Sequence, residues 1–212
     1  SFSERKQRLI EAVSIIRKLW QGDFVDYEGE YYNLESAKLY TPPKSRIPIY
    51  IAAAGPESAR VAGKYGDGLY TFLAPGDRLE NKVLPAVRKA ANVEGRGYDD
   101  FETIVQAPIS YDPDPEKALN SCKEWKVNSI PGHYEMTHNP KELEEFEDRV
   151  TDEDLKEKWR IAVSAEDVID YIEEFRDLGF SRVILLSSSP NESKFLTLCR
   201  KEIIPYFSGL YD

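Results

Sequence analysis

The 212-residue chain carries 28 Lys and Arg against 38 Asp and Glu, a net charge of −10, with 41% hydrophobic and 12% aromatic residues. That balance excludes a disordered chain and disfavours nucleic acid as the main partner, because phosphate binding needs a basic face. No apolar run reaches membrane-spanning length and no signal-peptide pattern opens the sequence, so a cytoplasmic protein of one ordinary domain is expected.

The chain starts at Ser1 directly in a helical pattern. This predicts a processed or truncated piece, with methionine removal before serine as the alternative. Ser1-Phe2-Ser3-Glu4 reads as a capping box, and Leu9, Ile10, Val13, Ile16, Leu19 and Trp20 recur at helical spacing up to Gly22. Residues 24–34, FVDYEGEYYNL, predict a hairpin around Glu28-Gly29. The apolar run Ile47–Ile51 predicts a strand buried on both faces. Ala52-Ala53-Ala54-Gly55 follows it, and Pro56 opens a helix to Tyr65. Gly66-Asp67-Gly68 ends that helix before a strand at Leu69–Phe72, completing a βαβ unit. Small residues at a strand end let a ligand approach the backbone, and the next helix offers free N–H groups to an anion. The competing reading is tight helix–strand packing.

A helix over about Asp77–Asn92, a strand over Phe101–Tyr111 and a helix carrying Ala118, Leu119, Cys122 and Trp125 come next. Residues 127–160 are irregular and acidic, with one or two short helices. Ser164 caps a helix closed by Gly179, Arg182–Leu186 is the last strand, and a serine-rich loop leads to a final helix over about Asn191–Phe207. Cys122 and Cys199 have no metal spacing and suit a reducing compartment. Cys122 lies on an apolar stripe and reads as packed. His133 and His138, beside Glu135, fix no third metal ligand, so surface histidines are expected. Ser187-Ser188-Ser189 stands where barrels often hold phosphate, yet it lacks a glycine-rich turn.

The pattern counts four main strands, each followed by a helix, after an opening helix and a side hairpin. This is how the second half of a (β/α)8 barrel would read, and half a barrel leaves an apolar edge for a partner. Several segments in this order resemble the luciferase-like monooxygenase superfamily, and within it the F420-dependent glucose-6-phosphate dehydrogenases. They include Leu19-Trp20-Gln21-Gly22, Tyr27-Glu28-Gly29-Glu30-Tyr31-Tyr32, Ile49 to Pro56, Gly66-Asp67-Gly68, Leu84-Pro85-Ala86-Val87, Ile109 to Pro115 and Lys158-Trp159.

The resemblance implies an α/β fold, a TIM barrel of the luciferase-like type of which the chain supplies strands five to eight. It implies a single domain over 1–212 with a helical insertion at about 127–160. It implies a cytoplasmic homodimer, or a chain paired with the barrel's other half. The implied activity is hydride transfer between the deazaflavin coenzyme F420 and an alcohol or other small substrate. An FMN monooxygenase of the same superfamily and a non-catalytic half-barrel subunit are the alternatives. The family's histidine and glutamate at the reacting carbon belong to the other half, so no catalytic residue is named here. The cofactor loop falls on Ala52, Ala53, Ala54 and Gly55, with Ala54 in place of a glycine. Substrate contacts carry over to Thr71, Trp125 and Lys158. Lysines of the sugar-phosphate enzymes fall on Ala74 and within His133–Glu135, which favours a neutral alcohol or a carbonyl compound over a sugar phosphate.

Overall fold

The computed structural model describes residues 2–93, 101–130, 137 and 139–209, which divide into two compact units. The first comprises Ser1–Val105 and Phe180–Arg182; the second comprises Gln106–Gly179 and Val183–Asp212.

In the first unit, helix α1 (Phe2–Leu19) leads to the antiparallel pair β1 (Val25–Glu28) and β2 (Asn33–Ala37). Gly22 leaves α1 at φ +81, the left-handed conformation glycine tolerates. Val13 and Ile15 are buried, whereas Leu9 and Ile16, read from the sequence as part of the apolar stripe, are exposed. The hairpin expected around Glu28-Gly29 is present, its strands joined by residues 29–32. Its loop wraps the Glu11 carboxylate, which is 4% exposed and accepts N–H bonds from Glu30 (3.1 Å), Tyr31 (3.1 Å) and Tyr32 (3.2 Å). A buried carboxylate survives only when its charge is solvated by donors, and here the loop backbone supplies them.

Next come β3 (Tyr50–Ala52), α2 (Pro56–Tyr65) and β4 (Gly68–Thr71). β3 is shorter than the Ile47–Ile51 run predicts. Ile51 is buried, but Ile47 is 45% exposed, so the run is not covered on both faces. The Asp67 carboxylate takes the Ile49 N–H (2.9 Å), while the Asp67 N–H donates to the Ile49 carbonyl (2.7 Å), so a side chain stands in for sheet pairing there.

A π-helical turn (Arg78–Val83) runs into α3 (Leu84–Val93), and a second (Cys199–Ile203) occurs near the end of the chain. Each precedes a proline at the second position of the following helix, Pro85 and Pro205. Proline lacks an N–H and crowds the carbonyl four residues back, and widening to i→i−5 bonding makes room for it. The widened bonds are Leu84 N–H to the Leu79 carbonyl and Ile204 N–H to the Cys199 carbonyl. Helices α2 and α3 meet closely at Gly63, which faces Val87, Ala90 and Ala91.

β5 (Glu102–Tyr111) passes from the first unit into the second and is buried along nearly its whole length, as a parallel strand covered on both faces should be. Its first half pairs in parallel with β4, which pairs with β3, so Tyr50, Gly68 and Glu102 stand level. Gly68 has no side chain, and the Tyr50 ring lies over it to donate its hydroxyl to Glu102 (2.8 Å). Arg182 pairs with the same carboxylate at 3.1 Å.

In the second unit, among the described residues, β5 is followed by α4 (Pro115–Ser121), a 3₁₀ turn (Cys122–Trp125) and the helices α5 (Lys126–Ser129), α6 (Pro140–Glu147) and α7 (Asp152–Lys158). Among the described residues of 127–160, where one or two short acidic helices are expected, α6 and α7 are the acidic ones. A short strand that the sequence reading does not contain, β6 (Arg160–Ala162), pairs in parallel with the end of β5. Its three residues are too few for a period-2 signal, so only pairing reveals it. Then come α8 (Ala165–Asp177), β7 (Arg182–Ser187), α9 (Glu192–Leu198) and α10 (Ile204–Ser208). Cys122, Leu155 and Trp159 form a buried cluster with Leu119, Trp125 and Ile161 around it.

Among the described residues no helix is long and apolar enough to cross a membrane.

Candidate functional site

At the C-terminal end of β3 the backbone turns into α2 through Ala52, Ala53, Ala54 and Gly55. The Ala53 N–H still donates to the Tyr70 carbonyl (2.9 Å), and Ala53 is buried. Ala52 is exposed, and Ala54 and Gly55 are half-buried. The φ of Ala54 is not positive, so alanine in place of the family's glycine carries no backbone strain. Gly55 caps α2 with φ −149 and ψ 164, extended backbone that any residue adopts. A Cβ built there would meet nothing nearer than the Arg78 guanidinium at 4.0 Å. The surface above Gly55 is thus free of this chain's own atoms. It adjoins the first turn of α2, whose N–H groups have no partners within the helix. Arg78, exposed at the start of its π-turn, adds a cation. These residues fit a cofactor with an anionic arm: small side chains, open backbone, a helix N-terminus and a guanidinium. Arg78 escaped the sequence reading because a lone arginine 23 residues from Gly55 gives no local signal.

Thr71, at the end of β4, is fully buried, and its hydroxyl accepts the Leu73 N–H at 3.4 Å. Thr71 and the Ala52–Gly55 loop belong to the first unit, and both lie at C-terminal strand ends.

Trp125 and Lys158 belong to the second unit. The ring of Trp125 lies 5.7 Å from that of Trp159, tilted by 45°. Trp159 is 2% exposed, and among the described residues its indole N–H has no hydrogen-bond partner; the Ser129 hydroxyl is likewise buried and unpaired there. A buried donor without a partner costs about 1–3 kcal/mol, so this indole marks where an acceptor would be welcome. Lys158, next in sequence, is half-buried, and burial pushes its ammonium below the usual lysine range.

Cys122 is fully buried, and desolvation raises its thiol to about 11, so it packs rather than attacks. Ser187, Ser188 and Ser189 spend their polar groups on neighbours: the Ser188 hydroxyl donates to the Ser121 carbonyl (2.9 Å), and Ser189 Oγ accepts the Tyr111 N–H (3.0 Å). These commitments weigh against the phosphate reading of that loop. His133 and His138 lie outside the described residues.

The luciferase-like monooxygenase family model matches residues 1–182. The chain belongs to the luciferase-like monooxygenase family. It is 35% identical over 206 residues to the F420-dependent glucose-6-phosphate dehydrogenase of Mycobacterium avium (strain 104), covering 96% of this chain and 61% of that protein. The chain thus spans about three fifths of the length of the relatives it matches. Among solved structures, an F420-dependent secondary alcohol dehydrogenase in complex with an F420–acetone adduct superposes with a TM-score of 0.83. It is 33% identical, with 90% of this chain and 58% of that one covered. The F420-dependent tetrahydromethanopterin reductase of Methanopyrus kandleri superposes at 0.79 with 24% identity, covering 95% and 63%, a likeness of fold alone. The α/β architecture with parallel strands is accordingly part of a luciferase-like TIM barrel, as the sequence predicts. In luciferase-like barrels the ligand end is the C-terminal end of the strands, where the Ala52–Gly55 loop and Thr71 both stand.

Proposed function

We propose that this luciferase-like chain is part of an F420-dependent oxidoreductase that moves a hydride between the deazaflavin and an alcohol or small carbonyl compound. The observation that carries the reading is the open backbone at Ala52–Gly55, beside the α2 N-terminus and Arg78. The likeness to F420-dependent relatives at 33–35% identity supports it. When bound, the deazaflavin would supply the carbon that accepts or donates the hydride. The chain's own part is positional. Ala52, Ala53, Ala54 and Gly55 keep the backbone accessible, and the first-turn N–H groups of α2 with Arg78 hold an anionic arm. Thr71, Trp125 and Lys158 are assigned to the substrate. The 212 residues act as one domain with 127–160 inserted. A homodimer in the cytoplasm belongs to the same proposal: Phe72 and Ile184, 52% and 47% exposed, are apolar residues for a partner to cover.

Titration of the full-length protein with F420 and, separately, FMN tests the cofactor. Tight F420 binding with reduction by an alcohol is expected. FMN binding without F420 binding would favour a flavin monooxygenase, and retention of neither would favour a non-catalytic subunit.

Substrate charge gives a second test. A phosphate monoester brings roughly two negative charges at neutral pH. Ala74 offers no cation where the sugar-phosphate branch has lysine, and Lys158 is partly desolvated, with no acid partner among the described residues. Glucose 6-phosphate is therefore expected to be a poor substrate, and Lys158→Ala to change kcat/KM for a neutral alcohol less than about fivefold, on the order of 1 kcal/mol. Glucose 6-phosphate efficiency well above that of simple alcohols, lost in Lys158→Ala, would reverse this reading.

A further inference from the structure

The first unit holds a second concave site, away from the Ala52–Gly55 loop. A cavity of about 720 Å³ opens between the end of α1, the loop before β3 and the end of α2. Arg17, Trp20, Lys44, Arg46, Lys64 and Asp67 shape it. Four cations therefore face one carboxylate. That carboxylate is already engaged: Asp67 takes Arg17 (3.0 Å), Arg46 and the Ile49 N–H (2.9 Å). Burial alone would raise its pKa, but these three donors outweigh it and hold the group below the usual range. Asp67 thus acts as a fixed post that aims two guanidinium groups at the cavity mouth, with the Arg17 side chain 36% and that of Arg46 77% exposed.

Two of the four cations have a simpler explanation. Arg17 and Lys64 sit in the last turns of α1 and α2, where cations complement the helix dipole. Arg46 pairs with Asp67, while Lys44, in the loop ahead of β3, has neither explanation. Nor does the composition favour chance: residues 38–93 hold nine Lys and Arg against four Asp and Glu, in a chain whose net charge is −10. The cavity is too large for a lone inorganic anion and lies in the range of small-molecule sites. Trp20 lines it and supplies an aromatic side chain for a ring to stack on.

We propose that this cavity binds an organic diphosphate carrying an aromatic ring, such as a nucleoside diphosphate. The diphosphate lies against Arg46, Lys44 and Lys64, and the ring against Trp20. Guanidinium forks suit phosphate oxygens, and the excess positive charge compensates a multiply charged anion. The site lies at the N-terminal ends of β3 and β4; Ile47 and Ala53 are six residue steps apart, about 20 Å of chain when extended. Occupancy is therefore independent of the cofactor loop.

Calorimetric titration of the full-length protein with ADP and with pyrophosphate, at low and at physiological salt, tests this. Saturable ADP binding that weakens with salt is expected, with pyrophosphate binding more weakly. Lys44→Glu, which leaves the Asp67 pairings intact, is expected to weaken both by about tenfold or more. Trp20→Ala should bring ADP down to the level of pyrophosphate, and F420 affinity should be unchanged in both variants. Absence of saturable binding at low salt overturns the proposal. So does ADP binding that survives Lys44→Glu, or ADP binding that F420 displaces.

Discussion

Gly63→Ala lowers the unfolding midpoint by about 4–8 °C, the shift that a loss of about 2 kcal/mol produces in a chain of this size. Two effects compete. Alanine is the better helix former by about 1 kcal/mol, which alone would stabilise α2. Against it, a Cβ at this position would stand 2.5 Å from the Val87 carbonyl oxygen and 2.8 Å from Ala90 Cβ. The first contact is with backbone, which cannot rotate away, so α3 has to retreat from α2. Overpacking of this kind costs about 1–3 kcal/mol, and parting two helices lies at or beyond the upper end. Thermal unfolding followed by circular dichroism measures it. A midpoint equal to or above that of the parent would mean that the two helices are not so closely apposed.

The second large effect separates binding from stability. At Gly55 the backbone is extended, and a side chain would point into open space, with Arg78 at 4.0 Å as the nearest atom. Gly55→Val therefore costs the fold at most about 1 kcal/mol, chiefly because valine is a poor helix cap. If that space belongs to the cofactor, the isopropyl group occupies it. F420 affinity then falls by about a hundredfold, near 3 kcal/mol, while Gly55→Ala gives an intermediate loss. Fluorescence titration with F420 alongside a thermal melt distinguishes the outcomes. Unchanged affinity in Gly55→Val would remove this loop from the cofactor site.

Long periodic segments were legible in the sequence. Ser164 and Gly179 bracket α8 as cap and stop, and Pro56 opens α2, because each rule there is local. The small-residue turn was visible for the same reason. What escaped depended on partners distant in sequence. β6 exists because Arg160–Ala162 meets Ile109–Tyr111. The hairpin loop wraps Glu11, nineteen to twenty-one residues upstream. The π-turns were missed because a proline near a helix start reads as an ordinary first turn, and only the preceding helical residues reveal the mismatch. At the candidate site, Ala52–Gly55 followed from the resemblance and from side-chain size. Arg78 and the unpaired Trp159 N–H required coordinates, since neither a nearby cation nor a missing partner leaves a mark on composition.

The Tyr50–Glu102–Arg182 link has a consequence for the order in which the chain acquires its shape. Its members lie 52 and 80 residues apart, so each closure waits for a long stretch of polypeptide. During synthesis the tyrosine can reach its glutamate as soon as β5 has emerged, laid across a glycine that offers no side chain of its own. The arginine arrives only after residues 112–181 have been made. Until then Glu102 keeps one hydrogen bond and no countercharge. The base of these strands is therefore completed in two steps, and non-local closures of this kind are slow. That two-step order follows from where three residues stand along the chain.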